Sequence, residues 1–345
     1  MSSLSAEDRR YAFEGSDPAA LGWKSLPPEY AIPEHAPSLE DAQQYCARLA
    51  HSHYENFSVV TWFLPKHLHQ HFYNIYAYCR ISDDLGDEVG NAQHALALLD
   101  AWEAELNATY LSLVEPPARD IRQSVEELLP GTPLIANPVS PRHPVFVALR
   151  ESIRKLDIPR APFANLLTAF RQDQTVTRYP TFEDLLGYCV NSANPVGHLV
   201  LYVCGYRDAE RLQLSDYTCT ALQLANFWQD VAVDYGKGRI YLPLESLAKF
   251  GVREDDIAGR RATPQFCEMM KFEVARARDW FQSGLPLADK VDKPLATDIE
   301  LFSRGGLEIL NAIERQNYDV LTRRPFISKR RKLWLVVRAA LEKIL

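Results

Sequence analysis

One stretch decides the fold: Ala221-Leu-Gln-Leu-Ala-Asn-Phe-Trp-Gln-Asp-Val-Ala-Val-Asp-Tyr-Gly-Lys-Gly-Arg-Ile-Tyr-Leu-Pro243. It reads as a helix that passes into a loop after Asp234. Gln223, Asn226, Asp230 and Asp234 follow one another at three, four and four residues, which stacks them on one helix face, one turn above the next. Leu222, Leu224, Phe227, Trp228 and Val231 surround that stripe. Polar side chains in such company are costly to bury without a partner. A divalent cation carrying an anion is such a partner. The loop that follows ends in Arg239, with Lys237 nearby and Gly236 and Gly238 to give it mobility.

A second stretch has nearly the same spacing. Tyr76, Arg80, Asp83 and Asp87 are separated by four, three and four residues, in a segment whose apolar Leu68, Phe72, Ile75 and Cys79 recur at helical intervals. A helix is expected from about Lys66 to Glu88. Two carboxylate stripes on two helices can face each other across a cavity, with the rest of the chain as their shell. A single D-x-x-x-D is ordinarily a solvated helix face. Two of them, flanked by Arg, Tyr, Gln and Asn within apolar helices, argue against that plainer reading.

The chain has 345 residues, 47% of them hydrophobic, which is ample for a large core. A formal net charge of −7 argues against a general nucleic-acid binder, which needs a basic face. Cys46, Cys79, Cys189, Cys204, Cys219 and Cys267 show neither zinc spacing nor a disulfide framework, so reduced thiols in a cytoplasmic protein are expected. No signal-peptide core opens the chain, and no apolar run approaches the roughly 18 residues of a membrane span. A soluble protein, or one peripheral at the inner face of a membrane, is expected.

Residues 1–38 carry Pro18, Pro27, Pro28, Pro33 and Pro37 without periodicity and read as a loosely packed extension. Residues 39–345 read as a single all-α domain. A helix starts near Ser38, with Glu40 and Asp41 in its first turn, and runs to about His53. Phe57 to Pro65 is an aromatic, apolar bridge. Residues 91–112 are helical. Seven prolines between Val114 and Pro144 mark an excursion with room for one short helix near 118–129. Helical periodicity returns over 145–156 and 162–175. Residues 182–204 form a helix that Pro195 must kink or break, because it removes a backbone bond and clashes with the preceding turn. Helices follow at about 215–234, 264–290, 294–319 and 329–344. No alternating strand pattern and no repeat is present.

Asp83, Asp87, Asp230 and Asp234 suit magnesium, a hard ion that takes oxygen ligands and keeps phosphate oxygens or water in its shell. A diphosphate between the two carboxylate walls fits this better than a closed protein cage, and the metal makes diphosphate a leaving group. Arg80 and Arg239 can clamp phosphate oxygens bidentately, and Tyr76 and Tyr241 can donate hydrogen bonds. The carbocation left behind survives only in a dry cavity, best with aromatic faces nearby. Phe57, Trp62, Phe72, Phe227 and Trp228 are the candidates, although each such ring is more often core than lining.

Other features carry less. His67 and His71 share a helix face but lack a third ligand, so His67, His69 and His71 read as solvated or capping residues. Gly236-Lys-Gly238 is not a dinucleotide loop, because it follows a helix and lacks a third glycine. Lys329-Arg-Arg-Lys332 before Leu333-Trp-Leu-Val-Val337 reads as the basic turn of a packed terminal helix rather than a membrane-surface helix.

Over roughly residues 40–325 the sequence resembles the squalene/phytoene synthase family of head-to-head prenyltransferases. The carrying segments are Tyr76-Ala-Tyr-Cys-Arg-Ile-Ser-Asp-Asp-Leu-Gly-Asp87, Tyr188-Cys-Val-Asn-Ser-Ala-Asn-Pro-Val-Gly197, Gln223-Leu-Ala-Asn-Phe-Trp-Gln-Asp-Val-Ala-Val-Asp234 and Gly238-Arg-Ile-Tyr-Leu-Pro243. The resemblance implies the all-α isoprenoid-synthase bundle, with a central cavity between two aspartate-bearing helices. It implies that Asp83, Asp87, Asp230 and Asp234 hold magnesium and diphosphate. Tyr76, Arg80, Gln223, Asn226 and Arg239 match diphosphate-contacting positions, Phe57 a cavity aromatic, and Tyr188 a tyrosine assigned to the chemistry.

Within that family, His53-Tyr-Glu-Asn-Phe57, Phe170-Arg-Gln-Asp-Gln-Thr-Val-Thr-Arg178, Ser192-Ala-Asn-Pro-Val-Gly197 and Asn226 to Asp234 look most like the hydroxysqualene synthase branch of bacterial hopanoid synthesis. That branch is expected to ionise presqualene diphosphate, rearrange the cation and quench it with water, with Mg2+ and without NADPH. Asn191, Asn194 and Gln229 are candidates to hold the water, with Tyr188 orienting it. Gln229 stands where many members have Arg, and Val233 where many have an acid, which weakens transfer of the two-step reductive reaction. The expected partners are a prenyl diphosphate, a presqualene diphosphate synthase that hands it over, and a peripheral membrane contact for the lipid product. The alternatives are a squalene, dehydrosqualene or phytoene synthase that condenses two prenyl diphosphates, and a non-catalytic helical protein that binds metal or lipid.

Overall fold

In the computed structural model, residues 26–52, 63–114 and 140–327 are described. Among the described residues the protein is all-α, and extended backbone pairs only in an isolated parallel bridge between Arg178 and Ile240. The chain divides into two compact units, Met1–Tyr54 with Gln70–Arg160, and Glu55–His69 with Ala161–Leu345. Phe57, Trp62, the expected helix near 118–129 and the basic run from Lys329 lie outside the described residues.

The first unit holds α1 (Leu39–Ser52), α2 (His69–Asp87, whose first residue is counted with the other unit), α3 (Ala92–Leu111) and α4 (Pro144–Leu156). A 3-10 turn over Lys66–Leu68 precedes α2, so the expected single helix begins as two pieces. The core is aromatic. Trp102 on α3 lies 4.5 Å from Phe146 and 4.7 Å from His143, and stacks at 6.2 Å on Tyr78 of α2. Its indole N–H donates to Ser82 Oγ at 2.9 Å, so the buried ring keeps its polar atom satisfied. Asn74, also buried, donates from Nδ2 to Ala148 O (3.1 Å) and Ser152 Oγ (2.9 Å), tying α2 to α4. His71 Nδ1 lies 2.9 Å from the same Ser152 hydroxyl, and His69 Nε2 lies 3.0 Å from Leu64 O. These two rings are therefore bonded into the structure rather than simply solvated.

Residues 26–38 depart from the loosely packed extension that the prolines suggest. Pro28–Tyr30 form a 3-10 turn whose Tyr30 ring is buried, with its hydroxyl donating to Asp84 Oδ2 at 2.7 Å. Glu29 O accepts from Tyr45 Oη at 3.0 Å. Prolines prevent periodicity but not packing, and here Tyr30 and the Glu29 carbonyl both tie the segment down.

The second unit holds α5 (Ala161–Gln172), α6 (Phe182–Ser192), α7 (Asn194–Val203), α8 (Ala209–Gly236), α9 (Leu244–Phe250), α10 (Glu254–Ala258), α11 (Pro264–Gly284) and α12 (Lys293–Arg315). The break expected at Pro195 falls at Ala193, with the proline in the first turn of α7, where its missing N–H costs nothing. The 28-residue α8 is the axis of this unit. It begins at 209 rather than 215 because the Asp208 side chain caps it, accepting from Arg211 N at 3.1 Å. Helices α9 and α10 are too short to show periodicity in the sequence. Residues 285–290, expected to continue α11, tighten into a 3-10 turn that contains Pro286.

Close packing on α8 depends on small residues. A Cβ on Gly197 of α7 would lie 2.2 Å from Ser215 Oγ and 2.6 Å from Cys219 Sγ, both on α8. The core around α8 gathers Trp228, Phe266, Met269, Met270, Phe281, Leu310 and Ile313. Trp228 is fully buried and its indole donates to Glu273 O at 3.2 Å. Its place is in the helix-packing core, and so is that of Phe72 in the first unit.

Candidate active site

In the first unit, Tyr76, Arg80, Asp83 and Asp87 form a half-buried stripe along α2, between the buried Ala77, Tyr78, Ile81 and Leu85. Helical spacing accounts for the stripe, but the next carboxylate along, Asp84, sets its geometry. Asp84 is buried and takes Arg80 Nε on Oδ2 at 3.0 Å and Arg80 Nη2 on Oδ1, while Oδ2 also accepts from Tyr30. This fork fixes the guanidinium. Its remaining nitrogen, Nη1, is 3.7 Å from Asp83 Oδ2. Arg80 is thus held within the stripe by Asp84 while facing Asp83. The sequence reading named Arg80 and passed over Asp84 and Tyr30. The signal available was the i, i+4 spacing of Arg80 and Asp84. Burial raises the Tyr76 phenol above its ordinary value, against the opposing pull of Arg80, so it stays a hydrogen-bond donor.

In the second unit, Gln223, Asn226, Asp230 and Asp234 form the matching stripe along α8. Asn226 is exposed and the other three half-buried, between the buried Leu224, Phe227 and Val231. Asp230 is held by Arg324, which reaches it from beyond α12 through Nη2 to Oδ2 at 3.0 Å and Nε to Oδ1. Gln229 donates to Pro325 O at 2.7 Å and is buried. It therefore pins the segment that carries Arg324, a different task from holding a water. Nothing in the spacing of the sequence joins positions 94 residues apart.

The loop after α8 is folded back rather than loose. Gly238 takes φ +82°, a left-handed turn that favours glycine. Arg239 N then donates to Asp234 O at 2.9 Å and Ile240 N to Thr177 O at 2.9 Å. This places Arg239 Nη2 3.3 Å from Asp173 O, and it places Tyr241 in a buried aromatic box with Tyr179, Tyr188 and Phe227. Tyr241 stacks on Phe227 at 3.9 Å and 10°, and Tyr188 lies 5.6 to 6.1 Å from the other three rings. The Tyr188 hydroxyl donates to Asp173 Oδ2 at 2.8 Å. Burial, then the Asp173 charge, push the Tyr188 phenol well above its ordinary value. Burial does the same to Tyr241. Asn194 is buried and its Oδ1 accepts from Thr220 Oγ1 at 3.0 Å, whereas Asn191 is half-buried on the last turn of α6. The sequence named Tyr188 but not Asp173 or Tyr179 as its neighbours.

Among the described residues, no group of three or more His, Cys, Asp or Glu comes together as a metal site. What the stripes offer is a pair of carboxylates on successive helix turns, with an arginine at hand. That donor set does not make a closed protein cage. It suits magnesium, which is ordinarily held by one or two carboxylates and completed by phosphate oxygens and water. On this chemistry each pair, Asp83 with Asp87 and Asp230 with Asp234, has the kind of donors that such an ion takes.

Residues 50–331 match the family described as squalene/phytoene synthase. The chain is 30% identical over 312 residues to a 15-cis-phytoene synthase of Synechococcus elongatus, covering 86% of this chain and 91% of that protein. It is similar to the crystal structure of squalene synthase HpnC from Alicyclobacillus acidocaldarius, with 41% identity, a TM-score of 0.70, and 87% of this chain and 98% of that one covered. A dehydrosqualene synthase solved in complex with ligand shares the fold at a TM-score of 0.70 and 24% identity, over 88% of this chain and 97% of that one.

Proposed function

The chain belongs to the squalene/phytoene synthase family, and on that premise we propose that it is a hydroxysqualene synthase, converting presqualene diphosphate and water to hydroxysqualene and diphosphate. The observation that carries the diphosphate chemistry is the pair of polar stripes, Tyr76-Arg80-Asp83-Asp87 on α2 and Gln223-Asn226-Asp230-Asp234 on α8, whose carboxylates are all half-buried. In this reading each stripe offers carboxylates and polar groups to a prenyl diphosphate, and Phe57, outside the described residues, keeps only the cavity-aromatic role that the resemblance implies. Bound magnesium supplies charge neutralisation that makes diphosphate a leaving group. The chain's own residues do the rest. Arg80, fixed by Asp84, and Arg239, fixed by the folded-back loop, present guanidinium N–H groups to phosphate oxygens. Tyr76 donates a further hydrogen bond. Tyr188 meets the cation from a box of buried rings that excludes water except where a polar group holds it.

The water quench is supported by the branch-like segments around Asn191, Asn194 and Pro195, and by the polar Asp173–Tyr188 pair inside the aromatic box. No nicotinamide cofactor is needed for it. The likeness to a phytoene synthase favours a second reading, the head-to-head condensation of two prenyl diphosphates by the same site. Among the described residues no helix is long and apolar enough to cross a membrane. The proposal places the protein in the cytoplasm, receiving its substrate from a presqualene diphosphate synthase and meeting the inner face of the membrane peripherally.

The test is product analysis. The purified protein is incubated with magnesium and either farnesyl or presqualene diphosphate, in 18O-labelled water, with and without NADPH. Labelled alcohol from presqualene diphosphate without NADPH is expected. Squalene formed only with NADPH, or alcohol without label, overturns the water quench. Hydrocarbon formed from farnesyl diphosphate alone supports the second reading.

A further inference from the structure

The hydrogen of the Tyr188 hydroxyl is already committed. Its acceptor is Asp173 Oδ2 at 2.8 Å, and an ionised carboxylate can only accept. Tyr188 therefore offers any other group lone pairs and no proton. A phenol so oriented cannot donate to diphosphate, but it can accept a hydrogen bond from a water molecule. Both partners are buried, Tyr188 at 5% and Asp173 at 8% exposure. Their placement is built from several directions. Asp173 follows the last turn of α5 and keeps its amide on Ala169 O at 3.0 Å, while Arg239 Nη2 approaches its carbonyl at 3.3 Å. Tyr188 comes from α6 and is enclosed by Tyr179, Phe227 and Tyr241.

We propose that Tyr188 and Asp173 form the proton-accepting relay of the water quench, with Asp173 as the positioning residue and final acceptor acting through Tyr188. This rests on the hydroxysqualene synthase reading. Diphosphate has left with the bonding electron pair before the relay acts. The oxygen of a water held on the Tyr188 lone pairs forms a C–O bond to the carbocation and becomes a protonated alcohol. One of its O–H bonds then breaks, its proton passing to the Tyr188 oxygen, as the proton already on Tyr188 passes to Asp173 Oδ2. A cation, a water and a carboxylate become a neutral alcohol and a neutral carboxylic acid, and no oxidant or reductant is consumed. Asp173 returns its proton to solvent before the next turnover. A high Tyr188 phenol suits a group that hands a proton on and does not hold a negative charge.

The experiment compares wild type, Asp173→Asn, Asp173→Glu, Tyr188→Phe and the Asp173→Asn/Tyr188→Phe double variant, using presqualene diphosphate and magnesium in 18O-labelled water without NADPH. Single-turnover rates, steady-state KM and the ratio of alcohol to elimination hydrocarbon are read. Asp173→Asn should lower the alcohol-forming rate about a hundredfold, the usual worth of a positioned proton acceptor. KM should stay within about threefold, because diphosphate binding is not touched. The product ratio should move toward hydrocarbon, and Asp173→Glu should restore part of the alcohol. Because the pair acts as a unit, the double variant should be no slower than Tyr188→Phe alone. A wild-type product ratio in Asp173→Asn, or losses that multiply in the double variant, overturns the relay while leaving the water quench standing. If Asp173→Asn does not fold, Tyr188→Phe with an unchanged product ratio overturns the relay by itself. Wild-type protein that makes no labelled alcohol overturns the water quench and the relay with it, an outcome visible before any variant is made.

Discussion

Lowering the pH from 7 to 5 should destabilise the first unit, most of all through His143. Its imidazole is fully buried against Trp102 and Phe146, caps α4 by accepting from Val145 N at 3.2 Å through Nδ1, and points Nε2 at Glu29 O, 3.3 Å away. One nitrogen accepts and the other donates, so the neutral ring satisfies both contacts and the imidazolium would break the cap. The groups that face it are Glu105, which accepts from the His143 amide at 2.8 Å, and Tyr45, whose ring lies 5.7 Å away. Burial holds its pKa down from the ordinary 6.5 to about 3. The unfolded chain therefore binds a proton that the folded chain refuses. The stabilisation is complete above pH 6.5 and is lost progressively as the pH falls toward 3. At pH 5 the unfolded ring is mostly charged and the folded ring is not, a difference of about 1.5 pH units, or about 2 kcal/mol. The assay is urea unfolding at pH 7 and pH 5 for wild type and His143→Asn, which keeps a capping acceptor but does not titrate. The variant is less stable at both values because ring packing is lost. The gap between the two proteins should narrow by about 2 kcal/mol at pH 5, since only the wild type carries the proton penalty. Other titrating groups are common to both and cancel. Stability curves that stay parallel between pH 7 and pH 5 refute the reasoning.

Three further perturbations follow from the stripes and the packing. On the proposed function, Asp83→Asn and Asp230→Asn should each lower turnover about a hundredfold or more with an unchanged circular dichroism spectrum, because each would remove a proposed metal ligand without loss of volume; near wild-type turnover at saturating magnesium would exclude the ligand role. Asn191→Leu should reduce the alcohol and raise the elimination hydrocarbons without a large change in melting temperature, which chromatography of the products reads directly. Gly197→Ala should cost about 1–3 kcal/mol in chemical denaturation, because a Cβ would lie 2.2 Å from Ser215 Oγ and the α7–α8 contact must open; a neutral result would show that Ser215 turns aside freely.

The helices were legible wherever an apolar face recurs over three turns or more. Helix α2 and helix α8 show this, and the polar stripes were legible as interruptions of that face. What the sequence hid follows a physical pattern. Helix α9 is shorter than two full turns, too short to display a period. The start of α8 moved because Asp208 caps it, an effect of one side chain on one amide. Tyr30 lay unread within a proline-rich segment because burial of a single ring leaves no repeat. Trp228 and Gln229 sit in the same motif as Asp230, yet one faces the core and the other a distant carbonyl. On a helix, adjacent residues point about 100° apart, so membership of a motif does not assign a side chain to the motif's task.

The partners of the functional side chains follow the same physical pattern. Spacing fixes which residues share a helix face, but a half-buried charge is stabilised by whatever group the tertiary fold brings to it. Arg80 found its partner one turn along, in Asp84, at a spacing that could have been read. Asp230 found Arg324, and Tyr188 found Asp173, at separations of 94 and 15 residues with a loop in between. Neither pair belongs to one helix, so no periodicity could announce it. The consequence reaches the chemistry. A tyrosine named from sequence alone is equally a donor and an acceptor, and only its carboxylate partner decides which. Asp173 makes Tyr188 an acceptor, and that orientation separates a residue that steadies the departing diphosphate from one that receives a proton after it has gone.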